Sequence, residues 1–181
     1  MSSVVISGNT SGAITLSAPD VSGTNTATLP AATGTVMVSG NMPAFSAYAD
    51  ATTQTLANTT YTKILFQTEE FDTNNNFASS RFTPTVAGYY QVNSQLLFPA
   101  LAGLTCLVAI YKNGADFKEG TRTAIAAASS GGVYVSALVY CNGSTDYIEI
   151  YGQQASGISQ NLAGGNNQFL NYFQASMVRS A

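Results

Sequence analysis

Beyond residue 43 the hydrophobic positions recur with a period of two. Tyr90, Val92, Leu96 and Phe98 share one face of a run, with Ser94 as its polar exception. Leu104, Cys106, Val108 and Ile110 share another face, and Val133, Val135, Ala137, Val139 and Cys141 a third. Tyr147, Glu149 and Tyr151 alternate with Ile148 and Ile150. Such alternation marks strands with one buried face. Turn signals separate the runs: KNGAD (Lys112–Asp116), SSGG (Ser129–Gly132) and CNGST (Cys141–Thr145). Asn-Gly pairs suit turns that need positive φ. The small residues of TAIAAASS (Thr123–Ser130) fit a loop better than a helical turn. Short strands joined by turns, with no intervening helices, predict an all-β sandwich.

Before residue 43 the pattern changes. The stretch ITLSAPDVSGTNTATLPAATGTV (Ile14–Val36) holds no aromatic residue, no Lys or Arg, and one charge, Asp20. Gly40, Asn41 and Pro43 punctuate the border. This divides the chain into an extended N-terminal arm over 1–42 and a head over 43–181. Ile14 and Leu16 alternate with Thr15 and Ser17, as in a half-buried strand, while Pro19, Gly23, Pro30 and Gly34 interrupt pairing. A segment of about forty residues buries too little surface to offset its own ordering entropy. Three copies wound together, or one copy added to a partner's sheet edge, bury more. The arm is therefore predicted to dock on a partner through Ile14, Leu16, Leu29 and Val36.

Composition sharpens this picture. Hydrophobic residues make up 45% of the 181, enough for a sizeable core, and charged residues only 8%, against about a quarter in ordinary soluble domains. Much of the surface must then be neutral and polar, or covered by other chains. The net charge is −3 and the six Lys and Arg are scattered, which argues against nucleic acid as a partner. No apolar run reaches membrane-spanning length, and MSSVVISGNTS lacks the basic and apolar regions of a signal peptide. Cys106 and Cys141 lie in apolar strand-like runs, as buried free thiols do.

Several segments resemble a known family. AFSAYAD (Ala44–Asp50) looks like the opening strand of the complement/tumour-necrosis-factor globular head. RFTPTVAGYYQVN (Arg81–Asn93) resembles its Phe-x-Pro-x-x-x-Gly-x-Tyr segment, here Phe82, Pro84, Gly88 and Tyr90. LVAIYKNG (Leu107–Gly114) matches the strand and turn that follow. VYVSALVYCNGSTDYIEIYG (Val133–Gly152) is similar to a two-strand hairpin, and FLNYFQASMV (Phe169–Val178) to the closing strand. The resemblance covers residues 44–180 and implies a ten-stranded jelly roll packed as a homotrimer. The collagen repeats that precede the head in animal members are missing, so their host-defence function does not carry over. Ser7–Gly40 resembles a segment near the N-termini of tailed-bacteriophage virion proteins, tail fibres in particular.

Catalytic chemistry has little to stand on. The chain has no His, the commonest general base and metal ligand. Neither a nucleophile elbow nor a phosphate-binding glycine loop occurs. Glu69, Glu70 and Asp72 form the one acidic cluster, and a solvated loop explains it better than glycan cleavage does. DTNNNF (Asp72–Phe77) begins like a calcium loop but has Phe77 where Gly is needed and Thr83 where Glu is needed. Asn58 and Asn142 open glycosylation triplets of the kind frequent in a Thr- and Asn-rich chain. The expectation is a non-enzymatic virion protein without metal or cofactor, assembled in the host cytoplasm and placed on the outer surface of capsid or tail. Its partners are copies of itself and other virion proteins. Two roles compete: a trimeric capsid decoration or cement protein docked by its arm, and a short tail-fibre or receptor-binding protein. For the second, Phe77, Phe117 and Phe169 are the candidates to stack on a host surface glycan.

Overall fold

The structure is a computed structural model that describes residues 3–21, 23–28, 31, 33–34, 36–50, 54–126, 129–163 and 169–181. It divides into two compact units, Met1–Gly34 and Thr35–Ala181. Among the described residues the regular elements are strands, apart from one 3-10 turn at Ser39–Asn41.

In the first unit, β1 (Ser3–Ser7) pairs antiparallel with β2 (Ala13–Ser17). This part of the predicted extended arm thus folds back on itself. Gly12, at φ 77, supplies a backbone conformation that other residues resist, and the Gly8 amide donates to the Gly12 carbonyl at 2.9 Å. The register sets Val4 opposite Leu16 and Ile6 opposite Ile14. Because side chains alternate along a strand, these four aliphatics share one face. All four are more than half exposed.

The second unit runs through β3 (Ala44–Tyr48), β4 (Thr55–Leu56), β5 (Thr62–Lys63), β6 (Thr68–Asp72), β7 (Phe77–Ala78) and β8 (Arg81–Phe82). It continues with β9 (Gly88–Phe98), β10 (Thr105–Lys112), β11 (Ala115–Ala124), β12 (Gly131–Cys141), β13 (Ile148–Ala155), β14 (Gln160–Asn161) and β15 (Tyr172–Ser180). One sheet has the order β12-β9-β15-β3-β6; the other has β11-β10-β13-β8-β7, with β5 also on β13. The short pair β14-β4 stands apart.

The alternating runs become these strands because each buries one face between the sheets. Val92, Leu96, Val133, Val139 and Phe173 from the first sheet meet Cys106, Val108, Ile110, Ile148 and Ile150 from the second in one core. Ser94, the polar exception, is buried with its hydroxyl donating to the Tyr172 carbonyl at 2.7 Å. The Phe-x-Pro-x-x-x-Gly-x-Tyr segment has a packing reason. Phe82 and Tyr90 are fully buried and meet edge to face, and the Tyr90 hydroxyl donates to the Val86 carbonyl at 2.6 Å. Gly88 lies so close to β15 that a Cβ there would fall on the Arg179 carbonyl oxygen. Asn113 and Gly114, at φ 54 and 79, make the predicted positive-φ turn between β10 and β11.

One expectation is corrected. Val133–Gly152 is not a hairpin: β12 and β13 belong to opposite sheets. The Asn142 carboxamide oxygen accepts from the Ser144, Thr145 and Asp146 amides, and past this tight turn the chain enters the other layer.

Candidate functional site

The scarce charges are segregated between the two sheets. Strands β3, β9 and β12 carry none, and β15 carries Arg179 alone. The outward face of this sheet presents Tyr89, Gln91, Asn93, Gln95 and Leu97 from β9 beside Tyr134, Ser136, Leu138 and Tyr140 from β12. Tyr134 is 64% and Leu138 52% exposed. The polar groups between them are already joined: Gln91 Nε2 donates to Ser136 Oγ at 2.9 Å, and Ser136 Oγ donates to Asn93 Oδ1 at 2.8 Å. Tyr89 and Tyr140 pack with ring centroids 5.4 Å apart. An uncharged, aromatic face whose Gln91, Ser136 and Asn93 groups already pair with one another costs less to desolvate than a charged one, as the centre of a protein interface requires. Acidic residues appear only on its edge strand β6, where Glu70 accepts a hydrogen bond from Ser46 Oγ at 2.5 Å.

The other sheet takes Lys63, Arg81, Lys112, Lys118 and Arg122. Glu149 on β13 is buried, and its Oε1 accepts from Lys63 Nζ at 2.6 Å and Arg81 Nε at 2.9 Å. Burial pushes the Glu149 carboxyl up, but these two hydrogen bonds and cationic charges outweigh it and hold the group below its ordinary range. The Arg81 guanidinium lies over the Tyr147 ring, 3.8 Å from its centroid. Tyr111 stacks on Tyr151 at 3.8 Å and leans against Tyr61. Hydrogen bonds from the Asn113 and Lys112 side chains lower the Asp146 carboxyl. Arg122 pairs with Glu119 in the open.

The residues singled out from the sequence fall in different places. Ile14 and Leu16 sit together on the bare hairpin face, with Val4 and Ile6 as cross-strand partners that the sequence reading had not named. Val36 is exposed in irregular chain of the second unit, and Leu29 lies outside the described residues. Phe77 is a correction. It is buried, stacked on Phe45 at 4.7 Å, and so is withdrawn from any surface ligand. Its burial follows from the turn before it, where both Asp72 carboxylate oxygens accept amide hydrogens, from Asn74 and Phe77. Phe117 and Phe169 are exposed, on β11 and just before β15 respectively. Among the described residues no three His, Cys, Asp or Glu side chains gather as a metal site would need. Cys106 and Cys141 are buried free thiols, each pushed up to about 11 by burial. Asn58 Oδ1 accepts from the Ser156 and Gly157 amides, so that triplet, like Asn142, serves a turn.

No protein-family model matches the chain. No curated protein matches it either. Solved structures do. The globular domain of zebrafish complement 1qA protein is 16% identical, with a TM-score of 0.56 over 77% of this chain and 99% of that one. Murine APRIL is 10% identical, with a TM-score of 0.56 over 76% of this chain and 99% of that one. At such identities the likeness is one of fold: the head is an all-β jelly roll of the complement and tumour-necrosis-factor kind.

Proposed function

We propose that the chain is a non-enzymatic structural protein of a tailed-bacteriophage virion, a capsid decoration or cement protein whose head forms a homotrimer and whose N-terminal segment docks it. The observation that carries the docking role is the hairpin. Val4, Ile6, Ile14 and Leu16 form two cross-strand pairs on one uncovered face. A two-stranded hairpin is at best marginal alone in water, and this one exposes the face that ought to stabilise it. A partner surface that covers those aliphatics would order the segment and hold the head in place. The partner's identity as another virion protein rests on the resemblance of Ser7–Gly40 to phage virion segments. The outward face of β9 and β12, which carries no charge, is the surface that copies of the head would cover, with Arg179 of β15 at its end beside Tyr89; the number three is what the head's resemblance implies. The acidic cluster fits this role, since Glu70 is engaged with Ser46 and Asp72 with its own turn.

Reconstitution onto particles that lack the protein tests the proposal. The full chain is expected to bind. Leu16→Asp should fail, because its carboxylate would lose hydration on docking. Deleting residues 1–40 should leave a folded head that does not bind. A truncated head that binds as well as the full chain would move the docking surface to the jelly roll. A second reading, a short tail-fibre or receptor-binding protein, is favoured by the exposed Phe117 and Phe169. A label on the chain in intact virions, seen at capsid or tail, separates the two.

A further inference from the structure

The hairpin β7–β8 turns through Ser79 and Ser80, at φ 51 and 56. Both residues of this tight turn are left-handed without a glycine, which costs on the order of 1–2 kcal/mol each. The surroundings hold the turn in place. Ser80 Oγ accepts from the Phe66 amide at 2.8 Å and donates to the Phe66 carbonyl at 3.3 Å. The buried Asn76 side chain is likewise spent on Asn74 and Thr85. Strain upheld by a satisfied, buried framework is a mark of functional sites.

This framework supports a depression of about 480 Å³ lined by Lys63, Arg81, Asn75, Ser79 and Thr83, among others. Its size falls within the span of small-ligand sites, about 300–1,000 Å³. The side chains of Asn75, Ser79 and Thr83 and the terminal amino groups of Arg81 have no hydrogen-bond partner among the described residues. Arg81 is fixed all the same, by Nε on Glu149 and by its stacking over Tyr147. Two cations share one oxygen of Glu149, so this end of the depression carries one positive charge in excess. Asp72, the acid in the adjoining loop, is turned to its own backbone amides.

We propose that this depression binds an acidic saccharide, its carboxylate on Arg81 and Lys63 and its hydroxyls on Asn75, Ser79 and Thr83. A single excess charge beside three neutral hydrogen-bonding groups suits a sugar that bears one carboxylate. It suits a multiply charged phosphate less well. The proposal rests on the second reading above, in which the head contacts a host surface glycan, and it gives that contact a site other than the exposed phenylalanines.

Saturation-transfer NMR with the full chain tests it, using galacturonate, galactose and inorganic sulfate as probes. Galacturonate should bind and galactose should bind about tenfold more weakly or less, since a hydrogen bond to a charged group discriminates by that much. Arg81→Gln, which leaves Lys63 on Glu149, should weaken galacturonate binding about tenfold. Ser79→Gly removes a ligand hydroxyl while relieving the backbone, so folding is secure, and should weaken binding severalfold. Arg122→Gln makes the same charge change on β11 and should have no effect. Equal binding of galactose, displacement of galacturonate by an equal concentration of sulfate, or no binding of galacturonate would overturn the proposal. Galacturonate binding that survives both Arg81→Gln and Ser79→Gly would overturn this site yet leave the glycan-contact reading standing. Failure of the unmodified chain to bind any polysaccharide from the host envelope would defeat that reading itself.

Discussion

Glu149 is the charge most committed to the fold, and removing its partners gives a result whose sign is fixed in advance. Its side chain is 3% exposed, against 27% for Lys63 and 43% for Arg81. Replacing both cations with Met strands a buried carboxylate and should cost about 3–5 kcal/mol at pH 7. The single variants should cost less, because each leaves the other cation in place. Arg81 is more exposed and more screened, so Arg81→Met should cost about 1 kcal/mol and Lys63→Met about 2. The shortfall of their sum against the double variant measures the coupling. The pH dependence is the sharper test. In the unaltered protein the folded carboxyl lies below its unfolded value, about 4.3, so its contribution is complete above that value and is lost as pH falls through the folded one. In the double variant only burial remains, and the folded carboxyl rises above the unfolded value. Its penalty then shrinks as pH falls and the group takes up a proton. The stability gap between the two proteins should therefore narrow from pH 7 to pH 4.5. Urea unfolding followed by tyrosine fluorescence serves, as the chain has no Trp, at one protein concentration because association shifts apparent stability. A gap under about 1 kcal/mol at pH 7, or one that does not narrow, would mean that Lys63 and Arg81 do not offset the burial of the Glu149 carboxylate.

Two further outcomes follow from the packing. Gly88→Ala should lower the urea midpoint by an amount equivalent to about 1–3 kcal/mol. Its Cβ would fall on the Arg179 carbonyl, 2.9 Å from Met177 Cε and 3.2 Å from Ser180 Cα, and an unchanged midpoint would mean that β9 and β15 do not approach so closely. Cys106 and Cys141, raised to about 11 and buried, should resist a thiol reagent at pH 8 until urea unfolds the head. Rapid labelling of the native chain would contradict their placement.

The parts of the fold legible in the sequence were those with a short-range cause. Period-two alternation located β9 and β12, which bury one face each, and marked β10 and β13 by the face they turn to the core, although Leu107, Ala109 and Glu149 are buried on their other face; Asn113-Gly114 announced its turn because the backbone there needs positive φ. The turn at Ser79-Ser80 gave no such signal. It is held by Phe66, fourteen residues from Ser80, and no local preference encodes that contact. The assignment of β12 and β13 to different sheets was hidden for a related reason, since alternation reports which face is buried and not which layer a strand joins. Phe77 shows the limit for sites. A lone aromatic beside a polar turn reads as exposed, and only the stack with Phe45 and the capping by Asp72 turn it inward. The Lys63–Glu149–Arg81 cluster joins residues from three strands, a convergence that no motif spacing records.

Copies of the head are proposed to meet through the uncharged outward face of β9 and β12. Sedimentation equilibrium of the full chain at micromolar concentration, beside Leu138→Asp, tests it most directly. Leu138 is exposed in the isolated head, so the substitution should leave each copy folded. The unaltered chain should sediment at three times its 18.8 kDa mass, and Leu138→Asp should sediment as a folded single chain. A folded monomer of the unaltered protein, or a trimer indifferent to the buried carboxylate, would contradict the account.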